Sequence, residues 1–290
     1  VTQERFAQKV QEFLEGEDIS FIQAQTGIGK TYGYLLPALS FENEGGILLS
    51  VPTKILQNQV MQEEAKRLEE TFHISIHSLK GPQNYLKLDA FHAALEEEES
   101  NRLYTRFKMQ LLVWLTETET GDLDEIGQLY RYQQFLPNLV HDRNLHKDSL
   151  FWLEDFWKRG QEKARSCKLL VTNHAYLVTR LEDDPSLLEG RLLILDEAQK
   201  TLLTLENLSR KTYLLTDLVE QLDQALSKEG GMLQKRLLES IRFECSYLID
   251  QFLSGKRKMC PASSIDKLHQ DFSELNLPEF KDYQRFFTSE

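Results

Sequence analysis

Cysteine is scarce in this sequence, and its arrangement excludes several kinds of site. Cys167, Cys245 and Cys260 are the three cysteines among 290 residues, and no two of them form a Cys-x-x-Cys pair. A structural zinc ion or a disulfide framework needs more thiols at closer spacing. We therefore expect reduced thiols, as is usual in a cytoplasmic protein.

Long apolar runs and a signal-peptide pattern are also missing. No stretch reaches the roughly 20 apolar residues that cross a bilayer, so no membrane partner is expected. The chain begins at Val1 instead of a methionine. From this start we expect an excised piece of a longer protein.

Positive charge is the third shortage. The sequence has 34 lysines and arginines against 46 aspartates and glutamates, for a formal net charge of −12. This balance argues against general coating of nucleic acid, although a local basic groove is compatible with it. The hydrophobic fraction of 41% is typical of a globular protein, and 290 residues suffice for more than one domain.

A phosphate-binding loop is the most specific motif present. Residues 24–31 read Ala-Gln-Thr-Gly-Ile-Gly-Lys-Thr, between an apolar run at 19–22 that predicts a strand and a stretch that predicts a helix. The glycines allow close approach of a polyphosphate, Lys30 supplies charge, and the Thr31 hydroxyl can ligate Mg²⁺. Ala24 replaces the usual first glycine. The predicted ATP contacts in this loop are Ala24, Gln25, Thr26, Gly27, Ile28, Gly29, Lys30 and Thr31.

The order of the predicted elements indicates an α/β fold. Predicted strands alternate with predicted helices, which is typical of a parallel sheet with helices on both faces. Beyond the run at 19–22, these strands cover residues 47–51, 74–79, 168–172 and 192–195.

Two helical regions interrupt or follow this pattern. Residues 81–160 contain helical stretches at 103–115 and 125–136 and no convincing buried strand, and the chain after residue 205 is helical again. We predict an α/β domain with a parallel sheet, a phosphate-binding loop and two mainly α-helical insertions. Its parts are residues 1–80 and 161–205 for the sheet domain, 81–160 for the first insertion and 206–290 for the second.

A second acidic motif follows the strand predicted at 192–195. Asp196-Glu197-Ala198-Gln199 places two carboxylates at the end of a buried strand, as a phosphate loop requires of its partner. Asp196 is expected to hold Mg²⁺, and Glu197 to orient and deprotonate the attacking water. Gln199 can donate and accept hydrogen bonds but cannot titrate near neutral pH.

The two motifs together resemble the first motor domain of superfamily-two helicases, and most closely the XPD/DinG branch. The resemblance implies that the parallel sheet is RecA-like. Asp-Glu-Ala-Gln stands where many of these helicases have Asp-Glu-Ala-His. Four further segments carry the resemblance: Arg5-x-x-Gln8, Pro52-Thr53, Lys80-Gly81-x-x-Asn84-Tyr85-Leu86 and Thr172-Asn173-His174-Ala175-Tyr176-Leu177.

The resemblance implies roles for residues outside the two motifs. Arg5 and Gln8 stand where family members contact adenine, with a plain helix surface as the alternative. The segment after the second strand stands where the family touches the DNA backbone, with a helix cap and a solvated lysine as the alternative. The DNA-contacting residues expected there are Pro52, Thr53, Lys54 and Gln57.

The iron–sulfur cysteines of the family are absent from their expected places. Lys87 stands where iron–sulfur members have a cysteine, and only Cys167 lies between there and the Asn-His segment. A cluster needs four thiolates. We therefore predict no iron–sulfur cluster, and residues 206–290 fall where the family has its Arch domain.

The resemblance implies an ATP-dependent DNA helicase, which uses ATP and Mg²⁺ to move along single-stranded DNA. Lys30, Glu197 and Gln199 are the expected catalytic residues. A second RecA-like domain of the same full-length chain and, in some cluster-less relatives, an exonuclease domain in front are the expected partners. A nucleotide-gated DNA-binding module that regulates a linked 3′–5′ exonuclease is the alternative, and a non-helicase phosphate-loop ATPase or kinase is a third hypothesis.

Overall fold

A computed structural model describes residues 2–16, 19–25, 27–41, 45–97, 100–183, 185–210, 213–228, 230–256 and 259–288. The chain divides into two compact units, residues 1–209 and 210–290. The first unit holds a parallel sheet and the second is helical. None of the described helices is long and apolar enough to cross a membrane.

Among the described residues, four parallel strands form the sheet of the first unit. They are β1 (Ile47–Val51), β2 (Ile76–Ser78), β3 (Leu169–Asn173) and β4 (Leu192–Leu195), in the spatial order β2-β3-β1-β4. Ile47 lies opposite Leu169 of β3 and Leu192 of β4 in the register. The predicted α/β fold built on a parallel sheet is confirmed.

Helices follow most of the strands in the first unit. A π-helical turn at Met61–Ala65 joins two of them into one long rod, and a 3₁₀ segment covers Leu129–Asn138. The α-helices are α1 (Gln3–Leu14), α2 (Lys30–Ser40), α3 (Lys54–Val60), α4 (Lys66–Phe72), α5 (Leu88–Glu96), α6 (Arg102–Leu115), α7 (Phe156–Ser166), α8 (His174–Asp183) and α9 (Gln199–Ser209).

The sheet separates two hydrophobic cores. Successive strand residues point to opposite faces, so Ile47 and Leu49 pack with α1 and α2, whereas Leu48 packs with α7 and α8. All three side chains are fully buried. Burial of one such side chain stabilises the fold by about 1.5–3 kcal/mol, so both faces of β1 fix the sheet on which the site is built.

The strand predicted at residues 19–22 is wrong. Residues 19–25 are neither helix nor strand, and the Ile19 and Phe21 side chains are 88% and 84% exposed. A strand needs a neighbour to pair its backbone amides and carbonyls. None of the described strands pairs with this segment, so its apolar residues do not become sheet.

β4 is less buried than predicted. Of the strands that the structure describes, it is the last on one side of the sheet, and the Leu193 and Leu195 side chains on one of its faces are 38% and 36% exposed. The prediction treated the strand as covered on both faces. Its bounds, by contrast, are those predicted.

The region at 81–160 has a core of its own and is rooted in the sheet. Phe107 and Leu111 of α6 are fully buried in that core. At its root the Lys80 ammonium, on a side chain that is 1% exposed, pairs with Asp122 and, at 2.8 Å, with Asp124. The helix predicted at 125–136 is a 3₁₀ segment, which begins after Gln128 in a left-handed conformation at φ 61°.

The second unit is a helical bundle. Leu222 of α10 and Ile241 of α11 are fully buried with Phe272 of α12 in one hydrophobic core. Gly230 and Gly231 lie between the first two helices. The helices are α10 (Leu215–Lys228), α11 (Met232–Leu253), α12 (Ala262–Glu274) and α13 (Lys281–Thr288).

Candidate nucleotide site

The loop ahead of α2 has the backbone of a phosphate-binding turn. Gly27 and Gly29 have φ of 82° and 77°, in the left-handed region that side-chain-bearing residues rarely adopt. Gly29 is the N-cap of α2, and Lys30 is its first residue. Free amides at a helix start attract anions. The predicted phosphate contact of Thr26 lies outside the described residues.

Helix α1 packs beside this loop. The Gln3 side-chain amide donates a hydrogen bond of 2.9 Å to the Gly29 carbonyl oxygen. Arg5 and Gln8 lie on the exposed side of α1. Both are therefore accessible to a ligand at the loop, and their predicted contact with adenine stays a prediction.

Tyr34 joins the loop helix to the acidic motif. Its hydroxyl donates a hydrogen bond to Asp196 Oδ2 at 3.3 Å and also lies beside the Thr31 hydroxyl. Burial, together with the negative charge of Asp196, raises the pKa of Tyr34. One buried phenol thus touches both predicted Mg²⁺ ligands. Hard oxygen donors of this kind suit Mg²⁺.

Glu197 is held by its backbone and by a lysine. Its φ is 49°, in the left-handed region, and its carboxylate lies 2.6 Å from the Lys200 ammonium. The hydrogen bond from Lys200 lowers the pKa of Glu197 below its ordinary value, and the charge of Lys30 adds to the effect. Gln199 is exposed at the start of α9.

Lys30 projects its charge into this space. Among the described residues, its ammonium makes no hydrogen bond or ion pair. Its positive charge nevertheless helps to lower the pKa of Glu197. A lysine whose charge acts on Glu197, together with the turn at Gly27 and Gly29, suits a nucleoside triphosphate with Mg²⁺.

The start of α3 carries the predicted DNA contacts. Thr53, which follows Pro52, is the N-cap, and its Oγ1 accepts a hydrogen bond from the Leu56 amide at 3.2 Å. Lys54 is about half exposed and donates to Asn84 Oδ1 at 2.8 Å. Thr53 and Lys54 remain accessible at the end of β1.

Gln57 differs from its predicted role as a direct DNA contact. It is fully buried, and its amide nitrogen donates to the carbonyl oxygens of Leu79 and Val171 at 3.0 and 3.1 Å. Its Oε1 accepts from Asn173. A buried amide is stabilised by such bonds and costs free energy without them, so Gln57 joins elements of the sheet domain. It shares the buried face of α3 with Val60, three residues on, and that spacing was the signal available in the sequence.

Sequence reasoning assigned no chemistry to two residues at the site. Tyr34 lies one helical turn after Thr31, and His174 reaches the backbone of Asp196. The spacing from Thr31 was the one available signal for Tyr34.

The cysteines are not gathered at a metal site. Within the described ranges, no group of three or more His, Cys, Asp or Glu side chains is arranged to hold a metal ion. The predicted absence of an iron–sulfur cluster stays a prediction.

The chain is similar in sequence to known helicase-family proteins. Residues 3–120 match the model of the DEAD/DEAH box helicase family. The "3′-5′ exonuclease DinG" of Staphylococcus saprophyticus is 33% identical over 197 residues, which cover 65% of this chain and 21% of that protein. The protein of the same name from Bacillus subtilis is 31% identical over 245 residues, which cover 81% of this chain and 25% of that protein. The predicted resemblance to DinG-type helicases is confirmed.

This chain spans only a part of these DinG relatives. It covers 21% and 25% of the two, so their activities as whole proteins do not transfer directly. Among solved structures, a truncated XPD aligns with 99% of this chain and 77% of its own, at 14% identity and a TM-score of 0.42.

Proposed function

We propose that this chain contains the ATP-binding first motor domain of a DinG-like DNA helicase, which couples ATP hydrolysis to movement along single-stranded DNA. The hydrogen bond between Tyr34 and Asp196 carries the proposal. It joins the helix after the phosphate loop to the acidic motif at the end of β4. Ligands of open parallel sheets bind at this carboxyl end of the strands.

Each side chain has a role in holding ATP. The turn at Gly27 and Gly29 and the ammonium of Lys30 bind the phosphates. Thr31 and Asp196 hold Mg²⁺, which neutralises charge on the reacting phosphates when it is bound. Arg5 and Gln8 contact the adenine.

Glu197 and Gln199 are the residues of this domain that act in ATP hydrolysis. Glu197 orients the attacking water and accepts its proton. Gln199 bonds to a second RecA-like domain of the full-length chain. An arginine from that domain is needed as well, and its loss costs roughly 10³–10⁵ in rate. This chain by itself therefore binds ATP weakly and hydrolyses it poorly.

The DNA strand runs along the start of α3. Pro52, Thr53 and Lys54 are accessible there, and the Thr53 hydroxyl can still donate a hydrogen bond to a phosphate. Such contacts fix the position of the strand without selecting its sequence. In this scheme residues 81–160 are an insertion into the motor domain, and residues 206–290 are an Arch-like domain.

ATP turnover by the full-length protein tests the proposal. Single-stranded DNA should stimulate hydrolysis, and Lys30→Ala should abolish it. Lys66→Ala, at an exposed lysine of α4, is the matched control and should retain turnover. If ATP is hydrolysed but single-stranded DNA neither binds nor stimulates, a non-helicase ATPase or kinase replaces the helicase.

The ion pair at Glu197 favours a second candidate function. Lys200 holds the carboxylate at 2.6 Å and lowers its pKa, which weakens it as a proton acceptor. A domain with a weak base suits a nucleotide-gated module that binds single-stranded DNA and regulates a linked 3′–5′ exonuclease. An unwinding assay on a forked duplex separates the two candidates. Full-length protein that hydrolyses ATP but never separates the duplex supports the gate.

A further inference from the structure

His174 is a buried histidine with both ring nitrogens engaged. It is the first residue of α8 and is 0% exposed. Nδ1 lies 2.8 Å from Ser50 Oγ, and Nε2 lies 3.0 Å from the carbonyl oxygen of Asp196. The ring therefore connects β1 to the residue that follows β4.

The partners of the ring decide which nitrogen carries the proton. A carbonyl oxygen can only accept, so Nε2 must carry the hydrogen and donate to Asp196. In the neutral ring Nδ1 accepts, and the Ser50 hydroxyl donates to it. The histidine is neutral in this arrangement, and burial, which lowers its pKa, favours the same form.

Asp196 is held from two sides. Its amide donates to the Ser50 carbonyl oxygen at 2.9 Å, in continuation of the pairing between β1 and β4. Its own carbonyl accepts from His174. Ser50 thus supports both contacts, one through its backbone and one through its hydroxyl.

The held carbonyl belongs to the peptide that leads into Glu197. Glu197 has a φ of 49°, which costs free energy for a residue with a side chain and persists only where its surroundings enforce it. The orientation of this peptide sets the direction of the Glu197 side chain. The hydrogen bond from His174 restrains this peptide at its carbonyl oxygen.

The ring itself is placed by a rigid support. Asn173 Oδ1 accepts from the Tyr176 amide at 3.0 Å, which anchors the first turn of α8, and its Nδ2 donates to Gln57 at 2.9 Å. Asn173 is also the last residue of β3. These two bonds of Asn173 restrain the backbone from which the His174 side chain extends.

We propose that His174 is a positioning residue, whose hydrogen bond to the Asp196 carbonyl holds Asp196 and Glu197 in the geometry that binds Mg²⁺ with a nucleotide. This inference rests on the proposed function of the loop and the acidic motif. It gives His174 no contact with substrate and no proton to transfer.

The test compares two amides at position 174. In His174→Gln the amide nitrogen reaches the place of Nε2 and can donate to Asp196, whereas the shorter side chain in His174→Asn reaches only the place of Nδ1. Calorimetry gives the dissociation constant of ADP for this chain with Mg²⁺ and with EDTA. The constant in EDTA divided by the constant with Mg²⁺ measures how much Mg²⁺ strengthens binding, and this quotient is the ratio compared below. His174→Asn should lower the ratio at least fivefold, and His174→Gln should stay within twofold of the wild type.

A buried histidine with a purely structural role should affect the stability of the chain but not the Mg²⁺ dependence of ADP binding. His141 is equally buried, at 1% exposure, within the region at 81–160. His141→Asn should lower the melting temperature and leave the ratio unchanged. In the full-length protein, His174→Asn should lower kcat for ATP at least tenfold with a smaller change in KM.

Three outcomes overturn the inference. The first is a wild-type ratio in His174→Asn, and the second is an equal loss in His174→Asn and His174→Gln. If His174→Asn does not fold, Ser50→Ala decides, because it removes the donor to Nδ1 and should lower the ratio twofold or more; an unchanged ratio there is the third outcome. Wild-type chain that fails to bind ADP with Mg²⁺ overturns the proposed function and this inference together, whereas the first three leave the proposed function intact.

Discussion

Gly33 of α2 lies in direct contact with the ring of Phe6 in α1. A Cβ atom at Gly33 would lie 2.5 Å from Phe6 Cδ1, closer than real Cβ contacts allow. Phe6 is itself buried in the core on that face of the sheet. The absence of a side chain at Gly33 therefore sets how closely α1, with Arg5 and Gln8, approaches the phosphate loop.

Gly33→Ala should separate the two helices. Overpacking a core costs about 1–3 kcal/mol, and displacement of α1 should also weaken ADP binding severalfold. Urea unfolding and calorimetry measure the two effects. Gly127→Ala is the control, because a Cβ there meets nothing within 4 Å. Equal stability of the two variants would contradict the packing argument.

Tyr34→Phe should remove the link between α2 and Asp196 and keep the ring in its core. The variant loses one hydrogen bond to a charged group, worth about 1.5–3 kcal/mol, and Asp196 is freed to move. We expect Mg²⁺-dependent ADP affinity to fall roughly tenfold, in line with about 1.4 kcal/mol. Binding measured in EDTA should be unchanged. A loss of the same size with and without Mg²⁺ would show that Tyr34 acts on the nucleotide instead.

Lys80→Met should destabilise the root of the region at 81–160. Removal of one partner from a buried ion pair costs about 3–5 kcal/mol, and the partial exposure of both partner carboxylates brings the expectation to about 2–4 kcal/mol. Lys87→Met is the control, since Lys87 pairs with an Asp142 that is about half exposed, and surface pairs contribute about 0–1 kcal/mol. Urea unfolding at pH 7 compares the two variants.

The same variant should show a pH dependence of known sign. Burial raises the pKa of Asp122, while Lys80 opposes that rise. Without Lys80 the folded pKa lies still further above the unfolded one, so the folded form binds more protons and loses stability as pH rises. Lys80→Met should therefore be less destabilised at pH 5 than at pH 8. The opposite order would exclude Asp122 as the residue responsible.

His77 in β2 should make the wild type sensitive to mild acid. Burial, with a smaller effect from the charge of Lys163, lowers the pKa of His77 from 6.5 to about 4. As pH falls, His77 is therefore protonated in the unfolded chain before it is protonated in the folded chain. The free energy of unfolding consequently falls as pH drops from 6.5 towards 4. This loss should be roughly 3 kcal/mol. Guanidinium unfolding at several pH values in this range gives the free energy of unfolding as a function of pH. This pH dependence should be weaker in His77→Gln than in the wild type, and an identical pH dependence would rule out His77.

The sequence predicts the sheet well where local signals agree. β1 has its predicted bounds because a glycine pair and Pro52 enclose its apolar run. Residues 19–22 have the same apolar character, but a strand also requires a neighbour that no local pattern can supply. The apolar pattern alone therefore did not distinguish a paired strand from an exposed segment.

The site shows a similar division. Both motifs are recognisable because their chemistry needs fixed residue types at fixed spacing. The contacts of His174 depend on the register of β1 against β4, which joins residues far apart in the chain. Gln57 was predicted to contact DNA because it follows Pro52-Thr53, where the family touches the DNA backbone. Its spacing from Val60, which marks a buried helix face, was the contrary signal.

The root of the region at 81–160 has a mechanical consequence. Isolated bridges pair Tyr85 with Asp122 and Leu86 with Val140, just beyond Lys80 and its carboxylates. The Leu79 amide, one residue before that lysine, is bonded to β3. A force applied to this region therefore reaches the sheet through the chain at Leu79 and through the side chains of Tyr85 and Phe156, which share a hydrophobic core with Leu48 and Leu170. Stretching the chain from a point in the region should load β2 and β3 before it disturbs the phosphate loop.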